Sequence, residues 1–184
     1  MSIATKTGDE GMTGLMYNRR VAKSHPRVEA CGAVDELNAA LGMVRATCST
    51  EYVRAKIQVI QKDLITLMGE ISVALEDVQR YVRDGFPLLT AEQTAKLDEW
   101  VKELEAHQVT FQGWATPGDS LPAATLDVAR TVARRAERRV CELREAGELK
   151  NAEVVVYLNR LSDLLWLLAR WTERSAECGV RSAE

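Results

Sequence analysis

The sequence predicts an all-α protein, a five-helix bundle with ferritin-like up-down packing. Three observations carry this. Of 184 residues only four are proline, and residues 27–86 and 123–184 contain none. Those stretches are rich in Ala, Leu, Glu and Arg, which favour helix. Apolar residues recur within them at spacings of three and four, the signature of one helix face. No strand pattern exceeds a few residues, and there is no internal repeat.

The elements follow in order. The head carries Gly8, Gly11 and Gly14 within its first fourteen residues, which predicts a loop. The first helix starts near Pro26, with Val28, Cys31, Val34, Leu37, Leu41 and Val44 on one face. The second is marked by Val53, Ile57, Ile60, Leu64, Leu67, Ile71, Leu75 and Val78, and should end near Asp84-Gly85, before Pro87. Thr90 with Gln93 forms a capping box for the third, seamed by Leu97, Val101 and Leu104. Gln108 to Leu121 breaks the period and reads as a loop. Ser120 caps a fourth helix running to Gly147, and a fifth spans about Leu149 to Cys178. Helices two and five approach 30 residues, about 45 Å at 1.5 Å per residue, so another subunit is expected to cover part of the surface.

Composition narrows the class. Apolar residues make up 46% and charged residues 28%, too apolar for disorder. A net charge of −3 disfavours a dedicated nucleic-acid binder. The apolar runs are too short to span a bilayer, and the polar first residues suggest no signal peptide, so no membrane partner and a cytoplasmic location are expected. The four cysteines are scattered without a CxxC pair, and the two histidines lie far apart. Free thiols are expected and a zinc site is not.

Four features could carry chemistry. The first is the string from Arg130 to Arg139, with five arginines and Glu137. At 100° per residue, Arg130, Arg134, Glu137 and Arg138 fall within an arc of roughly 100°. Val128, Val132, Ala136 and Leu143 should pack on the other side. Arginine forks suit phosphate oxygens, although a charge run is more often a solvated face. The second is the head, Thr5 to Gly14, whose closely spaced glycines let backbone N–H groups converge on an anion, with Lys23 nearby; alternatively it is a frayed tail. It matches neither a P-loop nor a dinucleotide fingerprint. Third, Asn159 and Asp163 share a face of the last helix, either as an interhelix clasp or as a reader of a ligand's polar edge. Fourth, Phe111 and Trp114 sit on a Gly/Pro loop, where they anchor the loop or cover a flat ligand. No Ser-His-Asp order, Cys-His pair or carboxylate-rich metal cluster is present, and no metal ligand is assigned. An enzyme of this kind would work by positioning reactants.

Together these strings resemble the PduO-type ATP:cob(I)alamin adenosyltransferases. The similar segments are T-K-T-G-D-x-G-x-T-G in the head, R-V-x-K…P-R-V-E-A-x-G-x-V-D-E-L-N from Arg20 to Asn38, A-R-T-V-A-R-R-A-E-R-R in the fourth helix, and N-R-L-S-D from Asn159 to Asp163. The match runs the length of the chain in order. The resemblance implies one domain over 1–184, with 1–25 an ATP-binding loop and 26–178 the helical body. It implies a homotrimer whose active sites lie between subunits. ATP, with Mg²⁺, would contact Thr5, Lys6, Thr7, Gly8, Thr13, Gly14, Lys23, Arg134, Arg135, Glu137, Arg138 and Asn159. Of these, Arg134, Glu137 and Arg138 would serve the chemical step. Cobalamin would meet Trp114, while Asp35 and Arg130 would pair across subunits and shape the corrinoid site. A corrinoid reductase and an adenosylcobalamin-dependent acceptor enzyme are the implied partners. The alternative is an ATP or adenosylcobalamin carrier or sensor of the same fold with little turnover. The chain departs from the family pattern at Trp114, where Phe is usual, and at Tyr17-Asn18 and Asp119, where glycines are usual.

Overall fold

The computed structural model describes residue 4 and residues 6–107 and 115–181, with side chains as far as residue 174. The protein is mostly helical. A small antiparallel hairpin pairs β1 (Met12–Gly14) with β2 (Arg20–Ala22) in the register Met12 to Ala22, Thr13 to Val21 and Gly14 to Arg20. Six α-helices follow: α1 (Pro26–Thr47), α2 (Glu51–Ile71), α3 (Val78–Arg83), α4 (Ala91–Ala106), α5 (Leu121–Glu145) and α6 (Glu153–Arg181).

Side-chain contacts fix the helix directions. Glu29 meets Arg139 at 3.4 Å and Thr47 meets Thr125 at 3.2 Å, so α1 and α5 are antiparallel. Arg45 reaches Gln61 at 2.9 Å and Cys31 lies against the Met68 carbonyl, so α1 and α2 are antiparallel. Glu137–Asn159 and Asp127–Arg170 set α5 against α6 in the same sense. Thr94–Glu153 and Asp98–Arg160 run α4 parallel to α6. The five long helices therefore alternate up and down along the chain, with the hairpin at the end where α1 begins. One apolar cluster joins them, including Leu37, Leu41, Ile57, Ile60, Leu64, Leu97, Val140, Leu158 and Leu165. A continuous aliphatic interior of this kind is the main stabilising term.

Local signals act where the sequence places them. Thr90 N donates to the Gln93 side chain at 2.9 Å, completing the capping box of α4. The Ser120 hydroxyl accepts from Ala123 N and opens α5. His25 Nδ1 accepts from Arg27 N and opens α1.

Three expectations are corrected. Helix two does not run on to Asp84. The Ser72 hydroxyl donates to the Gly69 carbonyl at 2.7 Å, Val73 and Ala74 are buried beyond it, and the chain restarts as α3 after a turn at Leu75–Asp77. A serine that bonds back to the preceding turn competes with helical bonding. Helix five begins at Glu153, because the Asn151 side chain caps Glu153 N at 3.1 Å. Lastly, Val128 does not pack inward. It is 51% exposed, and α5 buries Ala129, Ala133, Ala136, Val140 and Leu143 instead. The small alanines let α1 and α6 approach the α5 backbone closely.

Candidate functional site

Two surfaces gather the candidate residues. The first is the outer side of α5. Arg134 and Arg138 are exposed, and the Arg138 guanidinium donates to the Arg134 carbonyl at 3.0 Å. Among the described residues neither has a carboxylate partner. Their neighbours on the helix do: Arg135 pairs with Glu36 of α1, and Arg139 with Glu29 and Glu142. Glu137 is half-buried, and its carboxylate accepts from Asn159 Nδ2 at 3.1 Å. The structure thus brings Glu137 and Asn159 together across two helices and leaves two guanidinium groups open beside them. Arg130 is turned toward its own helix, where it meets Asp127 at 2.9 Å. Asp35 is exposed on α1. Asp163 is exposed on α6 and lines a separate concavity with Arg160 and Trp166.

The second surface is the head. It is not a simple loop. Gly11 N donates to the Gly8 carbonyl at 3.2 Å and Lys23 N donates to the Gly11 carbonyl at 2.8 Å, closing the base of the hairpin. The Lys23 ammonium lies over Gly8, so that a Cβ there would stand 3.2 Å from Lys23 Cε and Nζ. Arg20 Nη2 donates to the Thr7 carbonyl at 2.7 Å. Thr7, Gly8, Thr13, Gly14 and Lys23 are therefore held in one small unit, with Lys6 in the left-handed region at φ 58° and Gly11 at φ 76°. A cation over a glycine backbone, beside threonine side chains, is suited to an anion. A concavity of about 360 Å³ opens beside it, lined by Arg19, Arg20, His25, Arg27, Glu76 and Glu148. Thr5 and the loop residue Trp114 lie outside the described residues. Asp119 is exposed just ahead of α5.

The head and the arginine stripe belong to different neighbourhoods of the chain. The hydrogen bonds and ion pairs of the hairpin's tip run to Ser72, Glu76, Asp77 and Asp84. Those of the stripe run to α1 and α6. The Arg19 hydrogen bond holds the Asp77 carboxyl below the usual carboxylate range.

The sequence reading missed a buried charge cluster above the stripe. Arg170, Asp127 and Glu173 are all buried, and Arg170 binds both carboxylates. Its sequence signal is a charged residue in each apolar stripe, at Asp127 in α5 and at Arg170 in α6. Among the described residues, no group of three or more His, Cys, Asp or Glu is placed to hold a metal ion, and no helix is long and apolar enough to cross a membrane.

Comparison with known proteins finds relatives over nearly the whole chain. Residues 3–172 match the family model for cobalamin adenosyltransferase. A cobalamin adenosyltransferase of Cupriavidus metallidurans is 44% identical over 174 residues, covering 94% of this chain and 89% of the relative. The corrinoid adenosyltransferase PduO of Salmonella typhimurium is 38% identical over 180 residues; the match covers 96% of this chain but only 51% of that longer protein. Among solved structures, a variant of the PduO-type ATP:corrinoid adenosyltransferase from Lactobacillus reuteri, complexed with cobalamin and ATP, superposes with a TM-score of 0.86. That protein is 30% identical, with 96% of each chain covered.

Proposed function

The chain belongs to the cobalamin adenosyltransferase family, and from that premise we propose how its residues carry the family's reaction. The enzyme transfers the 5′-deoxyadenosyl group of ATP to cob(I)alamin. The cobalt electron pair attacks C5′, the C5′–O bond breaks, and triphosphate leaves with that bond's electrons. The corrinoid supplies the nucleophile, and the protein aligns the two reactants and stabilises the leaving group.

The observation that carries the reading is the open Arg134–Arg138 pair beside the Glu137–Asn159 hydrogen bond. Two guanidinium groups one helical turn apart can take successive phosphate oxygens. Glu137 and Asn159 hold that edge in place. Arg135 is bound to Glu36 within the chain, so its charge is largely neutralised and the open pair carries the phosphate contacts. Lys6, Thr7, Gly8, Thr13, Gly14 and Lys23, with Thr5, form the other half of the ATP site. In this reading the chain assembles as a homotrimer in which the head of one subunit meets α5 of the next, completing the site. Exposed Asp35 and half-exposed Arg130 would then pair across that boundary. The chain is taken as a single domain, 1–184, whose described residues form five long helices and one short one.

Mg²⁺ arrives with ATP. Trp114 covers the corrinoid, and a corrinoid reductase and an adenosylcobalamin-dependent enzyme stand before and after this step. A cytoplasmic location suits both.

The test is anaerobic. Chemically reduced cob(I)alamin, Mg-ATP and the protein are mixed, and the cobalt–carbon product is followed by absorbance. Adenosylcobalamin and triphosphate in equal amounts are expected. Binding of both substrates with no product would refute the transferase and leave the carrier or sensor.

A further inference from the structure

The link between the hairpin strands contains two consecutive non-glycine residues in the left-handed region, Tyr17 at φ 61°, ψ 31° and Asn18 at φ 61°. Asparagine tolerates that region, but for a bulky side chain it is an outlier, because Cβ crowds the following carbonyl. Such a conformation persists only where its surroundings over-determine it. Here they do. Leu15 N donates to the Arg19 carbonyl at 2.7 Å, closing the link on itself. Met16 N donates to the Ser72 carbonyl at 3.1 Å. The Tyr17 hydroxyl donates to Asp84 Oδ2 at 2.8 Å, and the Arg80 guanidinium lies 4.0 Å from the centre of the Tyr17 ring. Arg19 pairs with Asp77, and with Glu76 at 3.0 Å.

All of the partners outside the link itself belong to the stretch from Ser72 to Asp84, the break after α2 and the short helix α3. The interruption of α2 therefore creates a platform, and the tip of the hairpin is pinned to it. The hairpin is only three residues per strand, about 10 Å at 3.3 Å per residue. A tip fixed at Tyr17 fixes the whole unit, including Thr13, Gly14 and the Gly8–Lys23 contact at its base.

We infer that Tyr17 is a positioning residue: clasped by Arg80 and Asp84, it latches the head onto α3 and holds it in its ATP-binding arrangement before ATP arrives. This rests on the head being the ATP site. A loop that is preordered spares the ligand the cost of ordering it, so releasing the latch raises the apparent dissociation constant by the reciprocal of the fraction still ordered. On this proposal Tyr17 acts only through the head, so the chemical step at saturating ATP is expected to be unchanged.

The test compares Tyr17→Gly, Tyr17→Phe and Asp84→Ala with wild type. Tyr17→Gly relieves the backbone while removing the clasp. Tyr17→Phe keeps the ring under Arg80 and loses only the hydroxyl bond. Amide hydrogen exchange at Leu15 and Met16 reads the latch without ATP, calorimetry reads ATP affinity, and steady-state kinetics separates KM from kcat. Tyr17→Gly is expected to speed exchange at both amides. It should raise the KM for ATP by about tenfold, with kcat and the KM for cobalamin within about twofold of wild type, as a change in ordered fraction requires. Tyr17→Phe and Asp84→Ala should fall between, and combining them should add little, since both break the same hydroxyl–carboxylate bond. Unchanged exchange in Tyr17→Gly, or faster exchange with unchanged ATP affinity, overturns the latch even if the wild type is fully active. A wild type that binds no ATP overturns the functional reading as well, and is recognised by calorimetry alone.

Discussion

Replacing Asp127 by alanine tests the buried charge cluster that ties α5 to α6. Asp127 is 4% exposed and Arg170 3% exposed, and the two carboxylates around Arg170 come from different helices. Removing one partner of a buried ion pair costs about 3–5 kcal/mol when the remaining charge is left alone. Here Arg170 keeps Glu173, at 2.8 and 2.9 Å, so about half of the compensation survives and the expected loss is about 2–3 kcal/mol. Release of Arg130 adds little, since a partly exposed pair contributes about 0–1 kcal/mol. A loss of this size lowers Tm by about 4–12 °C in a chain of this length. The assay is urea unfolding followed by circular dichroism at one fixed protein concentration, because assembly contributes to apparent stability. Asp127→Asn, which keeps an acceptor for Arg170, should cost less, and the Asp127→Ala and Glu173→Ala effects should not be additive. A loss under about 1 kcal/mol for Asp127→Ala would refute the idea that this cluster holds the two helices together.

Arg134→Ala removes an exposed side chain from the open pair, so the fold should be unaffected. Transfer should slow by about a hundredfold or more, the usual effect of losing one donor to developing charge, and Lys should rescue it poorly because it lacks the planar fork. Wild-type single-turnover rates would sink the phosphate role. Gly69→Ala should destabilise the α2–α3 corner by about 1–3 kcal/mol, measured by thermal melting. A Cβ there runs into the Tyr81 hydroxyl, and Tyr81 is buried and stacked on Phe86 at 4.8 Å. Burial pushes the Glu70 carboxyl up, against hydrogen bonds from Leu89 N and Asn151. The folded state then holds its proton to higher pH than the unfolded chain does. Its contribution is full below about pH 4 and is lost as pH rises through the raised value. Glu70→Gln should flatten Tm against pH between 4 and 7 relative to wild type; parallel curves would exclude the effect.

Several elements were legible because their information is local. Thr90 with Gln93, Ser120 ahead of Pro122, and Pro26 each act within one helical turn, and each opens a helix in the structure. The three-and-four spacing of Leu37, Leu41, Ile57, Ile60 and Leu64 needs only the geometry of one helix to locate the core. The strings assigned to the proposed site stand out in the sequence only as residue types: glycine and threonine in the head, arginine in α5. Where the reading failed, the deciding atom lay elsewhere in the chain or in a competing local bond. The apolar period continues from Ile71 through Leu75 to Val78, so nothing in it announces the break at Ser72; a hydroxyl bonded back to Gly69 ends α2 there.

The sequence by itself determined the helical class and most helix starts, since these follow from backbone propensity and a 3.6-residue period. Tertiary structure decided which charges are spent and which are open. Arg135 and Arg139 face α1 and are neutralised by Glu36 and Glu29, Glu137 is taken by Asn159, and Arg134 with Arg138 is left to solvent. It also decided that Tyr17 rests on Arg80 and Asp84, more than sixty positions away along the chain. Ion pairs and hydrogen bonds reach only a few ångströms, so partner choice depends on how the packed helices are placed, which no periodicity along one helix encodes.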